Sequence, residues 1–476
     1  MKNITIYTTR IEISNYELGE CVDLEKMLSV WNPVTFSVEF TAFQYRLSNK
    51  TLIIPAGINR SKLEQFFPGS NIIDNSQTEP YNQTKFSLKY PPRNTMQFSA
   101  INFLLKPFPQ RFLSLETGGG KTYCAIHYVF KTKKMPIVFV DQELILNQWK
   151  DRILFFTNIQ EEEIFIIQGT NSINKLMKMN DKELKKYKFF LALHRTLSSN
   201  ELKETGYSTY EIFKKIGVGV RLYDEAHVEM KNIFAMDIAY NCESIYITAT
   251  PKRSNPSENK VYQNMFNITQ VPRYIGKSDN YHNIIILPYN TNPSLQDEIS
   301  MKTKYGFDAN AYSSYILENN DAYDTFYDSL KKILDKSYNK NKHKGIILFK
   351  TTAICDDFYE AFKDYLYNLN NMNLTVGKYH YKVKNKENEL EKDIIFTTDK
   401  SMQKAIDIKG LSLVINTVPC SSETVVTQMI GRLRKLDNKE VFFVDMYDEG
   451  FSAQRNQASK RLRLYKKKAK QILKIK

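Results

Sequence analysis

The chain has 476 residues, of which 42% are hydrophobic, and it carries a net charge of +15. This length and composition predict about three domains with buried cores. They argue against a membrane protein, because no stretch approaches the roughly 18 uninterrupted apolar residues that a spanning helix needs. The N-terminal residues also lack the apolar core of a secretion signal.

The cysteines predict neither a zinc site nor a disulfide framework. They are scattered along the chain and odd in number: Cys21, Cys124, Cys242, Cys355 and Cys420. No two of them have the close spacing of a metal-binding pair. We therefore expect a protein of the reducing cytoplasm.

Residues 1 to about 88 are predicted to form a small α+β module. Residues 34–43 and 45–54 are typical of two strands, followed by a turn at Pro55, Ala56 and Gly57. A helix is predicted to start at Ser61, with Glu64 at the capping-box position. Residues 1–90 hold nine basic and nine acidic side chains, so the module is electrically neutral.

A glycine-rich turn is the first feature that indicates chemistry. Residues 112–115 predict a strand and residues 123–128 predict a helix. The turn between them contains Thr117, Gly118, Gly119, Gly120, Lys121 and Thr122. Glycines let backbone N–H groups approach phosphates, and the helix amino end adds partial positive charge. We expect a nucleotide here, with Lys121 on its β- and γ-phosphates and Thr122 on Mg²⁺.

The turn departs from the common phosphate-binding pattern at one position. That pattern has glycine where this chain has Leu115. The alternative interpretation is a glycine-rich turn that is followed by lysine and threonine by chance.

An acidic pair follows a second predicted strand, residues 217–223. A carboxylate at the carboxyl end of a parallel strand lies beside the phosphate turn. We therefore expect Asp224 to hold Mg²⁺, and Glu225 to orient or deprotonate the attacking water.

Three further residues are candidates for coupling the nucleotide state to the rest of the domain. His227 comes after the acidic pair. Thr248 ends a strand predicted at residues 244–248, and Thr250 follows it. The alternatives are a histidine that makes a local hydrogen bond at a helix start, and an ordinary strand-end turn closed by Pro251.

The order of these segments resembles that of superfamily 2 helicases of the DEAH type. TGGGKT matches motif I, DEAH matches motif II and TAT matches motif III. Other segments resemble motifs Ia, IV, V and VI, at residues 137–149, 345–350, 397–411 and 428–435. The resemblance covers roughly residues 90–450.

The resemblance implies a fold class and cofactors. The fold would be α/β, with two tandem RecA-like parallel-sheet motor domains at residues 89–270 and 271–476, and the small α+β domain at residues 1–88. ATP and Mg²⁺ would be the cofactors. The resemblance also implies that Gln97 reads the adenine base and that Asp407 couples the nucleotide to the nucleic-acid path.

Motif VI contributes Gln428, Arg432 and Arg434. An arginine delivered from a second domain stabilises the charge of phosphoryl transfer, which is worth about 10³–10⁵ in rate. The family places a second arginine three residues after the first, where this chain has Lys435. Lysine lacks the bidentate contact of arginine, so Arg432 is the favoured finger, and Arg434 and Lys435 stay open as the second.

The resemblance assigns nucleic-acid backbone contacts to the face away from ATP. The side chains there that can donate to phosphate oxygens are Gln148, Arg195, Thr196, Lys350, Thr397 and Thr398. Trp149 is a candidate for stacking on a base, although a core position is the favoured alternative.

Residues 454–476 hold ten basic and no acidic side chains. Leu462, Tyr465, Ala469 and Ile472 recur at helical spacing, which predicts an amphipathic helix docked on the second motor domain. Its basic face is interpreted as a phosphate-binding surface, with a solvated cationic face or a contact with an anionic membrane as alternatives.

The sequence therefore predicts an ATP-dependent superfamily 2 DNA helicase or translocase. It resembles phage UvsW-type repair and recombination helicases, including a faint likeness in the N-terminal module around the segment LIIPAGI. That likeness implies that the module contacts DNA. The neutral charge of the module argues against a simple electrostatic clamp, and a role in packing against the first motor domain is equally favoured. The expected task is the remodelling of branched or recombining DNA, in the host cytoplasm if the protein is phage-encoded.

Three other functions stay open. One is an RNA helicase or transcript-release ATPase. Another is a binding or annealing protein whose ATPase acts only as a switch. The last is the motor half of a restriction system, which would need a nuclease from a partner subunit.

Overall fold

A computed structural model gives the fold of the chain. The residues that it describes are 2–32, 35–116, 118–198, 200–249, 253, 255–276, 280–304, 306–339, 342–383, 386–403, 408–436 and 439–475. The chain divides into two compact units, Met1–Ser278 and Asp279–Lys476.

The first unit begins with an α+β module. Its strands are β1 Asn3–Ile6, β2 Arg10–Ile13, β3 Ser29–Trp31, β4 Val38–Thr41, β5 Gln44–Arg46, β6 Thr51–Pro55 and β7 Asn71–Asp74, and its α-helices are α1 Val22–Met27 and α2 Arg60–Phe66. Five strands form a sheet in the order β5-β6-β2-β1-β7, and β3 pairs with β4. The predicted module is thus present, with α1 and α2 packed on a mostly antiparallel sheet.

Two details of the module differ from the sequence-based expectation. The strand predicted at residues 45–54 is divided by a 3-10 turn, Leu47–Asn49, after which Lys50 takes a positive φ of 47°. The helix α2 is capped by Asn59 rather than Ser61, because the Asn59 side chain accepts a hydrogen bond from the Lys62 N–H at 2.9 Å. In both places polar turn residues determine the local backbone, and the strand and capping patterns in the sequence do not.

The rest of the first unit is a parallel α/β domain. Its strands are β8 Gln110–Leu115, β9 Pro136–Val140, β10 Ile164–Ile167, β11 Phe189–Leu193, β12 Val220–Tyr223, β13 Glu243–Thr248 and β14 Arg273–Gly276. Its α-helices are α3 Thr95–Leu104, α4 Lys121–Thr132, α5 Glu143–Phe156, α6 Gly169–Lys178, α7 Asp181–Leu184, α8 His194–Ser198, α9 Asn200–Glu204, α10 Thr209–Ile216, α11 Met230–Ala239 and α12 Pro256–Met265.

The strands of this domain lie in the order β10-β11-β9-β12-β13-β8-β14, and every neighbouring pair is parallel. All five residues of β9 and of β11 are buried, as expected for parallel strands covered on both faces. Because the strands are parallel, the carboxyl ends of β8, β12 and β13 meet at one edge of the sheet. The segments that resemble motifs I, II and III follow these three strands.

The second unit contains another parallel sheet. Its strands are β15 His282–Tyr289, β16 Lys302–Thr303, β17 Gly306–Phe307, β18 Lys344–Phe349, β19 Val376–Tyr379, β20 Ile394–Thr398, β21 Leu411–Asn416, β22 Val441–Asp448 and β23 Ala469–Lys474. Its α-helices are α13 Leu295–Ser300, α14 Ala309–Glu318, α15 Asn320–Ser337, α16 Thr352–Asn368, α17 Lys386–Leu390, α18 Asp399–Gln403, α19 Glu423–Ile430 and α20 Ser452–Lys468.

Seven of these strands lie in the order β19-β20-β18-β21-β22-β15-β23, again with parallel neighbours. The predicted fold class, two tandem RecA-like parallel-sheet domains behind a small α+β domain, is confirmed. The first sheet continues to Gly276, because β14 pairs with β8. It therefore extends beyond residue 270, where the sequence had placed the domain boundary.

The C-terminal segment is only partly the helix that was predicted. The helix α20 ends at Lys468, and residues from Ala469 onward form β23, which pairs with β15 at the edge of the sheet. Ala469 and Ile472 therefore belong to a strand and not to the helical stripe that their spacing predicted. No helix among the described residues combines the length and the apolar character needed to cross a bilayer.

The N-terminal module packs directly against the first parallel domain. One apolar core runs from Ile4 in β1 to Val271 beside β14. Polar contacts reinforce it: the Thr9 hydroxyl donates to the Asp237 carbonyl at 2.7 Å, and Lys62 Nζ donates to Asn264 Oδ1 at 3.1 Å. This arrangement supports the packing role for the module. The predicted DNA contact by residues 1–88 stays a prediction.

Gly57 lies close against the backbone at the end of α12. A Cβ placed on Gly57 would lie 2.0 Å from the Met265 carbonyl oxygen. We predict that Gly57→Ala lowers the unfolding free energy of the first unit by more than about 2 kcal/mol, because backbone must move to admit the methyl group. Chemical denaturation followed by circular dichroism measures this loss.

Gly19→Ala is the matched control for that substitution. Gly19 has a φ of +87° but no heavy atom within 4 Å of the added methyl group. Its substitution should therefore show only the backbone penalty of about 1 kcal/mol. A loss at Gly57 no larger than the loss at Gly19 would contradict the tight interface.

Candidate nucleotide site

The glycine turn follows β8 directly and leads into α4. Gly118 and Gly120 take positive φ angles of 83° and 88°, and Gly120 is the N-cap of the helix. A Cβ on Gly120 would lie 2.1 Å from Gln97 Nε2. Conformation and space both require glycine here, as the phosphate-binding interpretation predicts. Thr117 lies outside the described residues.

Two side chains hold the carbonyl groups of this turn. Arg93 Nη2 donates to the Gly118 carbonyl at 2.6 Å, and Gln97 Nε2 donates to the Gly119 carbonyl at 3.4 Å. The Gln97 amide oxygen accepts from the Arg93 N–H at 2.8 Å. The N–H of a trans peptide points opposite its C=O, so the Gly120 N–H is turned away from Gln97. The contact of Gln97 with adenine stays a prediction.

The residues predicted to meet phosphate and metal lie on the first turn of α4. Lys121 Nζ donates to the Leu115 carbonyl at 3.3 Å, which places the ammonium group above the end of β8. Thr122 is partly exposed beside it. The first N–H groups of a helix have no partner within the helix, so this end of α4 attracts anions.

The Asp224 carboxylate accepts hydrogen bonds from α5 and from its own turn. Its Oδ2 accepts a hydrogen bond from Trp149 Nε1 at 2.7 Å, and its Oδ1 accepts from the Glu225 N–H at 3.0 Å. Burial and then the neighbouring Glu225 carboxylate raise the pKa of Asp224 to about 6, although Lys121 acts in the opposite direction. The carboxylate of motif II and the ammonium group of motif I are therefore close enough to interact.

The motif II turn carries backbone strain at Glu225. Its φ of 47° lies in the left-handed region that residues with a Cβ seldom adopt. The turn is held by the Ala226 N–H, which donates to the Ile247 carbonyl at 3.0 Å, and by the Val228 N–H, which donates to the Glu225 carbonyl at 2.8 Å. Strained residues held by their surroundings are a feature of functional sites.

His227 joins motif II to the strand of motif III. Its Nδ1 lies 2.7 Å from Thr248 Oγ1 and 3.2 Å from Glu225 Oε2. Both His227 and Thr248 are buried. The structure thus brings together two of the three predicted coupling residues with Glu225, while Thr250 lies outside the described residues.

The sequence interpretation missed Asp141, the residue that follows β9. Burial raises the pKa of Asp141, the nearby Glu225 carboxylate raises it further and His227 lowers it, so Asp141 lies within electrostatic range of the motif II turn. The strand β9 is the direct neighbour of β12. A carboxylate placed directly after that strand is a signal that sequence reasoning can use once the strand order is known.

The motif VI segment lies in the second unit, at the end of α19. Gln428, Arg432 and Arg434 are all partly exposed there. The carbonyl of Leu433, between the two arginines, accepts from the Tyr281 hydroxyl at 3.0 Å and lies 3.2 Å from His282 Nε2. The start of β15 therefore holds this loop. The predicted catalytic roles of the three residues stay predictions, and Asp407 lies outside the described residues.

The structure corrects part of the predicted nucleic-acid contact. Arg195 is exposed and Gln148 is partly exposed, whereas the side chains of Thr196, Thr397 and Thr398 are buried. The Thr397 hydroxyl donates to the Tyr379 carbonyl at 2.5 Å, and the Thr398 hydroxyl donates to Ser401 Oγ at 2.9 Å. Thr397 and Thr398 end the buried strand β20 and point inward, and Thr196 is buried in α8, so these hydroxyls are not surface donors.

Lys350 and Trp149 also have partners inside their own units. Lys350 Nζ lies 2.9 Å from Asp399 Oδ2, and so its charge is shared with a carboxylate. Trp149 is 2% exposed and contacts Asp224, which excludes base stacking in this conformation.

Comparisons with known proteins agree with the motifs in the first parallel domain. Residues 75–253 match the family described as Type III restriction enzyme, res subunit. Transcript termination protein A18 of Fowlpox virus (strain NVSL) is 26% identical over 148 residues, which is 30% of this chain and 29% of that protein. The aligned segment thus spans less than a third of that relative. The resemblance to superfamily 2 helicases is confirmed.

Two solved structures resemble the chain over larger parts of its length. The crystal structure of T4 UvsW has a TM-score of 0.40 at 14% identity, and covers 100% of this chain and 99% of that chain. The crystal structure of the Pyrococcus furiosus Hef helicase domain has a TM-score of 0.47 at 14% identity, with 76% and 97% covered.

The raised pKa of Asp224 makes a prediction about stability. Its folded-state value, about 6, lies above the ordinary 3.8, so this carboxyl group stabilises the fold at low pH and loses that contribution as pH rises through 6. At pH 7.5, without nucleotide or Mg²⁺, Asp224→Asn should raise stability by about 1–3 kcal/mol. The gain in Tm should shrink as pH is lowered toward 4.

Asp237→Asn provides the contrast for this experiment. Asp237 is buried, and it pairs with the buried Arg221 at 3.4 Å. Its neutralisation leaves a buried cation without its partner, so Tm should fall. Differential scanning fluorimetry at several pH values compares the two variants, and a lower Tm for Asp224→Asn at pH 7.5 contradicts the interpretation.

Proposed function

We propose that this chain is an ATP-dependent helicase or translocase whose ATP hydrolysis is stimulated by nucleic acid, with DNA favoured as the substrate. One observation carries the proposal: Lys121, Asp224 and the pair Glu225–His227 converge at the carboxyl edge of one parallel sheet. A triphosphate held on the glycine turn would meet a cation, a metal-binding carboxylate and a base there. The resemblance to superfamily 2 helicases supports the same class.

The donors at this edge fit a nucleotide with its magnesium ion. Thr122 offers a hydroxyl and Asp224 a carboxylate, which are the oxygen ligands that Mg²⁺ prefers. When bound, the metal would neutralise charge on the phosphates. Asp224 has acceptor capacity to spare, because each of its oxygens accepts one hydrogen bond in the structure and can accept another.

Glu225 is proposed to orient the attacking water and to take its proton. Its carboxylate lies next to His227, which contacts Thr248 on the neighbouring strand. A change in the protonation or position of Glu225 would therefore alter the contact of His227 with Thr248 on β13. This chain of contacts supports the proposal that His227 and Thr248 transmit the nucleotide state.

The substrate and the task are the finer part of the proposal. We favour branched or recombining DNA and a phage-encoded protein of the cytoplasm, as the likeness to UvsW-type helicases implies. RNA is the specific competitor, because the relative from Fowlpox virus is a transcript termination protein. An annealing protein with a switch-like ATPase is the remaining candidate, and it predicts only background turnover.

We predict that Lys121→Ala and Glu225→Gln each reduce stimulated ATP hydrolysis at least about 100-fold, because they remove a phosphate contact and the base. Nucleic-acid binding, measured by fluorescence anisotropy, should persist in both. Lys131→Ala is the control, because Lys131 is an exposed lysine at the far end of the same helix. Wild-type turnover in Lys121→Ala or Glu225→Gln would refute the ATPase site.

We predict that ATPase activity separates the substrate classes when matched oligonucleotides are compared. Single-stranded, duplex, forked and four-way DNA are tested beside RNA of the same sequence, at several salt concentrations because phosphate contacts depend on salt. The proposal expects the largest stimulation with forked or four-way DNA. Greater stimulation by RNA would favour the transcript-release alternative, and background turnover with every substrate would favour the switch-like protein.

A further inference from the structure

We infer that Trp149 is a positioning residue that couples the nucleic-acid-contacting helix α5 to the metal-binding carboxylate of Asp224. The inference rests on the proposed function and adds to it a residue through which the substrate acts on the ATPase site. It concerns contacts within the first unit only.

The indole N–H of Trp149 donates its hydrogen bond to the carboxylate of Asp224. An indole has one N–H and no acceptor, and here that group lies 2.7 Å from Asp224 Oδ2. The ring is 2% exposed. A buried indole N–H usually finds a hydrogen-bond partner, and here that partner is the carboxylate that is predicted to bind magnesium. The indole therefore fixes the orientation of one carboxylate oxygen.

The other oxygen of Asp224 is held by the motif II turn itself. Oδ1 accepts from the Glu225 N–H at 3.0 Å. The plane of the carboxylate is thus set by two donors, one from its own turn and one from α5. A displacement of α5 would rotate or release the carboxylate, and so the metal-binding geometry depends on where α5 lies.

The helix α5 presents two adjacent side chains in different directions. Trp149 lies on the buried face with Ile145, Leu146 and Ile153, whereas Gln148 is partly exposed. Successive residues on a helix point about 100° apart. Gln148 is a predicted phosphate contact, so a backbone bound on that side would act on the same rigid helix whose inner face holds Asp224.

A packing role is the competing explanation, and the two differ in what phenylalanine preserves. Trp149→Phe keeps an aromatic ring on the buried face but removes the N–H donor. If the ring alone matters, basal and stimulated hydrolysis should change together, in step with stability. If the hydrogen bond positions Asp224, stimulation and magnesium dependence should change while the fold persists.

Trp149→Phe is compared with the wild-type chain and with Trp31→Phe. Trp31 is exposed in β3 and is the matched control, because these are the two tryptophans of the chain. We expect Trp149→Phe to lower the nucleic-acid-stimulated kcat about tenfold, as fits the loss of a hydrogen bond to a charged group. The Mg²⁺ concentration at half-maximal rate should rise several-fold, with the KM for ATP within about twofold. Trp31→Phe should match the wild type.

A spectroscopic measurement tests the same contact without disturbing it. In Trp31→Phe, the tryptophan emission comes from Trp149 alone. Titration with MgCl₂ in the presence of ADP should shift or quench this emission, and subsequent addition of single-stranded DNA should change it again. This readout needs no turnover, so it still tests the inference if the proposed ATPase activity fails in the hydrolysis assays.

The results separate the two explanations in each case. Equal losses of basal and stimulated hydrolysis with a lower Tm in Trp149→Phe would overturn the inference in favour of packing. Wild-type stimulation and magnesium dependence in that variant would overturn it as well. An emission that does not respond to Mg²⁺ with ADP, or to DNA, would show that the indole does not sense the site.

Discussion

The partly buried carboxylate of Asp224 constrains the arrangement of the first parallel domain. Taking a carboxylate out of water costs free energy unless donors and cations compensate its charge. At Asp224 the compensation comes from three places: Lys121 at the start of α4, Trp149 in α5 and the backbone N–H of Glu225. Because these groups follow β8, β9 and β12, the helices cannot shift against the sheet without leaving the charge exposed or uncompensated.

The buried charge of Arg221, a residue of β12, also constrains this strand. Arg221 is fully buried and contacts Asp237, Ser244 and the Thr9 hydroxyl of the N-terminal module. The hydroxyl of Tyr223 also donates to Asp237, at 2.9 Å. A network in which each member has a partner is rigid, whereas the loss of one member leaves a buried charge behind. The neutral module therefore contributes to the first parallel domain by completing the surroundings of the motif II strand.

Much of the site could be predicted because it follows from strand order. In a parallel sheet the carboxyl ends of the strands share one edge. The glycine turn, Asp224 and Thr248 therefore come together there independently of the conformation of the loops. The contact between Trp149 and Asp224 depends on how α5 packs against β9 and β11, and local sequence does not encode that packing. Likewise, the motif V residue Thr397 was predicted to donate to phosphate, but a strand end in a buried sheet turns its hydroxyl inward.

The backbone strain at Glu225 indicates why the motif II turn needs hydrogen bonds to the neighbouring strand. A residue with a Cβ in the left-handed region costs about 1 kcal/mol or more, and a longer or freer loop would relax it. The hydrogen bond from Ala226 to the Ile247 carbonyl prevents that relaxation by tying the turn to β13. The same strand carries Thr248, which contacts His227. The position of the proposed base and the position of motif III are therefore set by one pair of strands, so a movement of either would alter the other.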